Sequence, residues 1–183
     1  MSIELPPIPD DHRILFYKRD RELFGFLSNF HESPIILDGE AWPTTEHFYQ
    51  AMKSRRAEYR RLIRTAVSPG QAKRLGADPA LPKNRSGQSW FRTSGTPIRE
   101  DWPEIKLETM RIAVRAKFTQ NPELAQRLLA TGTAELIEDS KSDQFWGIGE
   151  KGDGLNWLGR VLMEVRDDLE RDSLQPAPPI VNV

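Results

Sequence analysis

The sequence contains no cysteine. Disulfides, thiolate nucleophiles and cysteine-ligated metal sites are therefore excluded, and a cytoplasmic location is expected because cytoplasmic proteins do without disulfides. Only three histidines are present, and no two of them have the spacing of a metal-binding pair. We therefore expect neither a bound metal ion nor a cofactor.

Long apolar runs are also missing, so no segment is long enough to cross a bilayer. The first residues lack the basic and apolar stretches of a signal peptide. With 38% hydrophobic and 29% charged residues, the chain is expected to be a soluble globular protein without membrane contact. Its 183 residues suffice for one domain. Prolines cluster at both ends, which predicts flexible tails over residues 1–12 and 173–183 around a single domain at 13–172.

The net charge of −1 conceals a basic segment in the middle of the chain. Residues 53–99 include twelve Lys and Arg but only two acidic residues, which gives this segment a net charge of +10. Such a segment is typical of proteins that bind phosphate-bearing partners, including nucleic acid. The same residue types also form solvated helix faces, and composition does not separate the two interpretations.

Hydrophobic periodicity predicts a mainly helical α+β fold with a few short strands in one compact domain. Strands are expected at residues 13–17, 34–37, 40–42 and 134–137, with a hairpin turn at Asp38-Gly39. One long helix is predicted over residues 45–66. Further helices are expected to begin after the capping residues Ser68, Asp101, Asn121 and Asn156. Residues 77–100 lack periodicity, which is typical of a lid or binding loop.

The predicted first helix carries the most informative polar pattern. Glu46, Gln50 and Lys53 share one face, and aromatic residues flank them. This face lies opposite the apolar stripe, as on a solvent-exposed surface. It becomes a ligand site only if residues 77–100 and 140–154 fold over it. His47 is interpreted as a partly buried helix residue rather than a catalyst.

A second group of candidates lies near the predicted last strand. Residues 147–152 match the dinucleotide pattern G-x-G-x-x-G, but no βαβ unit follows, so a Rossmann domain is excluded. The backbone N–H groups of this loop remain candidates for holding a phosphate. Asp143 lies beside aromatic residues, which favours a functional role, whereas Glu138 and Asp139 are interpreted as solvated charges at a strand end.

Two further positions are candidates for contact with a ligand. Trp102 follows a helix cap, where its ring need not be buried and is free to stack on a base. Ser28 and Asn29 lie between aromatic residues in a stretch without regular period. They form either a ligand edge or a tight turn whose backbone groups Asn29 satisfies.

Together these segments resemble the NADAR family, whose bacterial members include the YbiA-like N-glycosidases. The matching segments are residues 24–30, 42–53, 72–76, 97–102, 110, 116–118, 136–138, 143–149 and 156–166. The resemblance spans residues 14–170 and implies a mainly helical fold that hydrolyses N-glycosidic bonds of ribose phosphates or ADP-ribose. Residues 83–96 look like extra length compared with compact members of the family.

The resemblance also implies roles for individual residues. The catalytic candidates are Glu46, Trp102, Asp143 and Lys53. The expected substrate-binding residues are Phe26, Ser28, Asn29, His47, Gln50, Arg99, Trp146, Gly147, Gly149 and Asn156.

Two substrate classes fit this resemblance. One is the ribosylaminopyrimidine phosphates of riboflavin synthesis, and the other is guanine in nucleic acid that carries ADP-ribose. Two non-catalytic alternatives stay open. The protein is then either a module that binds an ADP-ribose, an NAD-derived ligand or nucleic acid without cutting it, or a structural nucleic-acid protein that uses only the basic segment. The departing base and the oligomeric state are not determined by the sequence.

Overall fold

The computed structural model describes residues 12–17, 23–82 and 86–174, and most of both predicted tails lies outside these ranges. The strands are β1 (Arg13–Phe16), β2 (Ile35–Leu37), β3 (Glu40–Trp42) and β4 (Glu135–Glu138). The helices are α1 (Thr45–Ala51), α2 (Ala57–Arg64), α3 (Pro69–Leu75), α4 (Trp90–Ser94), α5 (Trp102–Gln120), α6 (Pro122–Leu129) and α7 (Trp157–Leu174), and a 3-10 turn spans Gly25–Leu27. The expected mainly helical α+β fold is confirmed.

The strands form two separate pairs. β2 and β3 form the predicted antiparallel hairpin, and its turn residues Asp38 and Gly39 both have positive φ, as a tight two-residue turn requires. β1 and β4 pair in parallel although most of the chain separates them, with Ile14 opposite Leu136 and Phe16 opposite Glu138. This parallel pairing was not predicted, and it brings the end of β4 beside the N-terminal strand.

The core surrounds α5, which contacts α1, α6, α7 and strand β2. One face of this helix supplies the core, since Met110, Val114 and Phe118 are buried and Leu107 is partly buried. The inner face of α7 packs against both α5 and β4. No helix among the described residues combines the length and apolar character needed to span a membrane.

The prediction of one helix over residues 45–66 is wrong, because the chain forms α1 and α2 with a break between them. The carbonyl groups at the end of α1 accept hydrogen bonds from groups that a continuous helix would not bring there. The Tyr59 hydroxyl donates to the carbonyl oxygen of Gln50, and the backbone N–H of Arg99 donates to that of Lys53. Tertiary hydrogen bonds therefore replace the helical ladder and turn α2 away from α1.

The described parts of the segment 77–100, residues 77–82 and 86–100, are more ordered than their composition predicts. They contain α4, whose Phe91 is buried with its ring centroid 4.8 Å from that of Tyr59 in α2. Arg92 donates to the carbonyl oxygen of Leu81 at 2.8 Å, and the Ser89 hydroxyl donates to that of Ala77 at 2.5 Å. These contacts hold residues 77–82 against the body of the protein, where they form part of a cleft wall.

Gly159 marks the close approach of α7 to β4 and provides a test of this packing. A Cβ atom at this position would overlap the carbonyl oxygen of Leu136 and the side chain of Asn156. Because backbone must shift to make room, we expect Gly159→Ala to lower the free energy of unfolding by about 1–3 kcal/mol. Urea-induced unfolding followed by circular dichroism measures the change.

Gly70→Ala in α3 is the matched control. The nearest atom to its added Cβ atom is 3.5 Å away, which is an ordinary van der Waals contact. Alanine is the better helix former, so the free energy of unfolding should stay equal or rise by up to about 1 kcal/mol. Equal losses in both variants would contradict the packing explanation.

Candidate active site

Helix α1 is buried along its whole length, and it carries Glu46 in its first turn. Thr44 precedes the helix and caps it, because its hydroxyl accepts from the backbone N–H of His47 at 3.3 Å. Glu46 is 6% exposed and Gln50 is 4% exposed. The face that resembled a solvated surface is therefore covered, which is the condition under which the sequence predicts a ligand site.

A cleft of about 700 Å³ opens over this face of α1. Residues 77–81 form part of one wall, and residues 138–146 form part of another. Its polar lining combines carboxylates, cations, aromatic rings and small polar side chains. These are Glu46, Asp78, Glu138, Asp143, Lys53, Lys73, Arg74, Tyr49, Trp146, Ser28, Asn29 and Gln50. The volume is in the range of small-molecule sites.

Glu46 is fixed by hydrogen bonds to both its backbone and its side chain. Its N–H donates to the carbonyl oxygen of Asn29 at 3.2 Å, and the side-chain amide of Gln50 donates to its Oε1 at 2.8 Å. Asn29 is itself locked, since its Oδ1 accepts from Thr45 and its Nδ2 donates to the sulfur of Met110. Gln50 and Asn29 thus position the carboxylate of Glu46 as well as lining the cleft.

Lys53 lies just beyond the end of α1, and its ammonium group is directed toward Gly76, which precedes the wall formed by residues 77–81. Its Nζ donates to the carbonyl oxygen of Gly76 at 2.7 Å and lies 5.8 Å from the ring centroids of Tyr49 and Trp102. Burial lowers the pKa of Lys53 to about 8, although the negative charge of Glu46 opposes this shift. Near neutral pH a fraction of this lysine is therefore uncharged.

The aromatic wall differs from the prediction for Trp102. That side chain is buried and does not line the cleft, and its ring lies 5.0 Å from that of Tyr49. Tyr49 lines the cleft and meets Trp146 edge-on at 5.4 Å. Trp102 supports the aromatic surface from behind, and Tyr49 and Trp146 present it. Tyr49 was not among the predicted site residues, although its position three residues after Glu46 places it beside that residue on the helix surface.

Asp143 lies in the cleft wall as the sequence predicts. Its Oδ1 accepts hydrogen bonds from the backbone N–H groups of Phe145 and Trp146 at 2.9 and 2.8 Å. This turn fixes the start of the segment that carries the Trp146 ring. Asp143 therefore orients an aromatic neighbour while its carboxylate faces the cleft.

The interpretation of Glu138 as a solvated charge is wrong. Its side chain lines the cleft, and its Oε2 is enclosed without a hydrogen-bond partner among the described residues. Burial raises the pKa of Glu138 to about 8, and the nearby charge of Asp143 adds to the shift. The pairing of β4 with β1 places Glu138 there, and no local pattern in the sequence predicts that pairing.

Three expected binding residues lie in the structural framework instead of the cleft lining. His47 is buried, with Nε2 donating to the carbonyl oxygen of Ala66 at 3.1 Å and burial lowering its pKa. Phe26 packs edge-on against Phe118 in the core. Arg99 binds both carboxylate oxygens of Asp101 at 2.5 and 2.7 Å. Asp101 consequently makes no capping hydrogen bond, which corrects the predicted cap of α5.

The glycine-rich loop also serves the framework. The N–H groups of Ile148 and Gly149 donate to the carbonyl oxygens of Glu138 and Ser140, both at 3.0 Å, so they are not available to a phosphate. Gly147 and Gly149 are absent from the cleft lining, and a Cβ atom at Gly147 would lie 2.7 Å from the carbonyl oxygen of Glu138. These two N–H groups and the two glycines therefore serve the framework of the loop, and a phosphate contact by the rest of the loop stays a prediction.

The side chain of Asn156 likewise forms hydrogen bonds with a strand instead of lining the cleft. With φ of 51°, Asn156 directs its side chain to β4, where Oδ1 accepts from the N–H of Glu138 and Nδ2 donates to the carbonyl oxygen of Leu136. Its contribution to the site is indirect, because it holds the backbone that carries Glu138.

The match to known proteins covers nearly all of the described domain. The NADAR domain matches residues 15–170. N-glycosidase YbiA of Shigella flexneri is 41% identical over 162 residues, which cover 88% of this chain and 91% of that protein. An N-glycosidase of Nostoc punctiforme is 37% identical over 159 residues, which cover 85% of this chain and 92% of that protein.

Two further similarities agree with this match. A riboflavin biosynthesis protein of Vibrio vulnificus is 43% identical over 157 residues, which cover 86% of this chain and 38% of that longer protein. The NMR structure of Escherichia coli YbiA superposes with a TM-score of 0.74 at 39% identity, covering 91% of this chain and 90% of that one. Sequence and fold therefore agree that the chain belongs to the NADAR family.

Proposed function

We propose that the protein is an N-glycosidase that hydrolyses the C1′–N bond between a base and a ribose that carries a phosphate. The observation that carries this proposal is the cleft in which carboxylates, cations and aromatic rings meet above α1. The names of the relatives, N-glycosidase and riboflavin biosynthesis protein, support the same class of reaction. The expected cytoplasmic location belongs to this proposal as well.

Glu46 is assigned the central catalytic role. Breaking a C1′–N bond builds positive charge on the ribose ring, as glycoside hydrolysis does. A fixed carboxylate beside C1′ stabilises this charge and accepts a proton from the attacking water. The hydrogen bonds from Gln50 and to Asn29 hold Glu46 for this task. Asp143 is the second candidate, because it also faces the cleft.

The remaining cleft residues are assigned to the two ends of the substrate. Tyr49 and Trp146 offer ring surfaces to a flat base, supported by Trp102. Lys73 and Arg74 of α3 face the same cleft and supply positive charge for a phosphate. Lys53 is placed to hold a hydroxyl group, a phosphate or an opened sugar. The site thus grips the base and the phosphate while Glu46 acts between them.

The substrate that we favour is a ribosylaminopyrimidine phosphate of riboflavin synthesis, in line with the name of the Vibrio relative. The basic segment at residues 53–99 favours a second candidate, guanine that carries ADP-ribose in nucleic acid. Incubation with each substrate, followed by mass spectrometry of the released base, tests both. If a substrate is bound and returned intact, the protein is a binding module and the proposal is wrong.

Glu46→Gln tests the catalytic assignment. The amide cannot accept the proton from water or balance the charge on the ribose, so we expect kcat to fall by about 10²–10⁴-fold. The fold should persist, because the Gln50 amide can donate to the new side-chain oxygen as it does to Glu46. Turnover is measured with the favoured substrate, and thermal unfolding verifies the fold.

Glu58→Gln is the matched control for this variant. Glu58 also lies in the first turn of a helix, but its side chain is exposed and pairs with Arg56 at the surface. Surface ion pairs contribute little to stability, so both turnover and folding should be unchanged. Wild-type turnover in Glu46→Gln would remove Glu46 from the mechanism.

The charge of the cleft should change near pH 8. As the pH rises through the pKa values of about 8, Lys53 loses its positive charge and Glu138 gains a negative charge. Both changes oppose the binding of an anion. Ribose 5-phosphate is already doubly charged above pH 7, so we expect its affinity to be roughly tenfold lower at pH 9 than at pH 7. Isothermal titration calorimetry at both pH values measures this difference.

Single variants separate the two contributions. Lys53→Met and Glu138→Gln each remove one of the two titrating groups, so each should reduce the pH dependence in part. The double variant should bind ribose 5-phosphate with nearly the same affinity at both pH values. Equal affinity of the wild-type protein at pH 7 and pH 9 would show that these groups do not face the bound phosphate sugar.

A further inference from the structure

We propose that Glu138 is the catalytic acid that protonates the departing base, acting opposite Glu46 in the same cleft. The inference rests on the proposed N-glycosidase function and adds a second carboxyl group to it. Glu46 stabilises the positive charge on the ribose and activates water, whereas Glu138 donates a proton to the nitrogen of the departing base. The two roles need two carboxyl groups in different protonation states.

The position of Glu138 is the first argument. It is the last residue of β4, and its side chain lines the cleft together with Glu46 and Asp143. Its backbone is fixed on both sides, since its N–H donates to Asn156 Oδ1 at 3.0 Å and its carbonyl oxygen accepts from Ile148 at 3.0 Å. A rigid strand therefore delivers this carboxyl group into the cleft wall.

The unused hydrogen-bonding capacity of the side chain is the second argument. The Oε2 atom is enclosed and has no partner within the part of the chain that the structure describes. A buried polar atom without a partner costs free energy, so such atoms are rare in proteins unless a ligand completes them. A substrate nitrogen in the cleft supplies the missing partner. The hydrogen bonds described above use the backbone N–H and carbonyl oxygen of Glu138, and its Oε2 is left to meet a ligand.

Burial, together with the negative charges that face Glu138, keeps its carboxyl group protonated at neutral pH. Asp143 and Glu46 are negative neighbours that oppose its ionisation, and Lys73 is the cation that favours it. Burial makes the largest contribution, acts in the same direction as the two carboxylates, outweighs Lys73 and raises the pKa of Glu138 to about 8. Tyr17, which follows β1, also lines the cleft. A carboxyl group that is protonated at pH 7 is able to donate a proton during the reaction.

The protons and electrons balance in this scheme. The C1′–N bond breaks, its electron pair stays on the nitrogen, and that nitrogen takes the proton of Glu138. Water adds to C1′ and transfers a proton to Glu46, which yields the free base and the ribose phosphate. Glu46 then loses its proton and Glu138 regains one through solvent, so both carboxyl groups return to their starting states. The net reaction is hydrolysis, and no further reactant is needed.

The dependence on the leaving group tests this assignment. We would measure kcat and KM for a ribosylaminopyrimidine phosphate and for its analogue with a nitro group on the pyrimidine ring. The nitro group stabilises the departing base, so its departure needs little help from an acid. We expect Glu138→Gln to lower kcat on the parent compound by about 10²–10³-fold and on the nitro compound by less than about tenfold. KM should change little for either.

The controls distinguish the acid role from other causes. Glu135→Gln makes the same change at the exposed start of β4 and should leave both rates unchanged. Glu46→Gln should slow both substrates alike, since it acts on the ribose. A Glu138→Gln variant that is equally slow on both substrates, or as fast as wild type, would overturn the acid role. Wild-type protein that hydrolyses neither compound, nor guanine that carries ADP-ribose in nucleic acid, would overturn the proposed function and this inference with it.

Discussion

The carbonyl oxygen of Asn29 fixes the first turn of α1, and the candidate site depends on it. It accepts from the N–H of Glu46, which satisfies one of the backbone donors that the start of a helix leaves unpaired. The preceding carbonyl, that of Ser28, is bound by the buried Lys117 of α5 at 2.9 Å. Burial lowers the pKa of Lys117 to about 7, so this amine can fill its site with less buried charge. The loop that contains Ser28 and Asn29 is therefore bound to both α5 and the start of α1, so the position of α5 helps to fix the carboxylate of Glu46.

Enclosing several charged groups in one cleft has electrostatic consequences that suit acid–base chemistry. Carboxylates repel one another when water is removed, and cations on the same walls offset that repulsion. Lys53 and Glu138 respond to burial in opposite directions, each toward its neutral form. Both therefore exchange protons close to neutral pH, where an acid or base is most effective. The same burial that makes the cleft costly to form provides its candidates for proton transfer.

Local patterns predicted what local interactions determine. The hairpin at Asp38-Gly39 and the helix capped by Ser68 followed from turn and cap chemistry, and both are present. The break after α1 was missed because the groups that end the helix come from Tyr59 and Arg99, whose approach no periodicity reveals. Glu138 was missed for a related reason. Its burial results from a parallel pairing between two strands that lie far apart in the sequence.

The basic segment shows how far net charge can guide an assignment. Arg55 and Arg99 both bind Asp101, and Arg92 binds carbonyl oxygens of the loop after α3, so these cations stabilise the fold. Within the described part of this segment, which omits residues 83–85, the cations that line the cleft are Lys53, Lys73 and Arg74. A compact group of three suits one phosphate-bearing small molecule. A nucleic-acid strand would need a continuous basic surface beyond the cleft, and several of the segment's arginines are already committed to contacts within the fold. The local arrangement of charge, rather than its sum, therefore favours the small substrate.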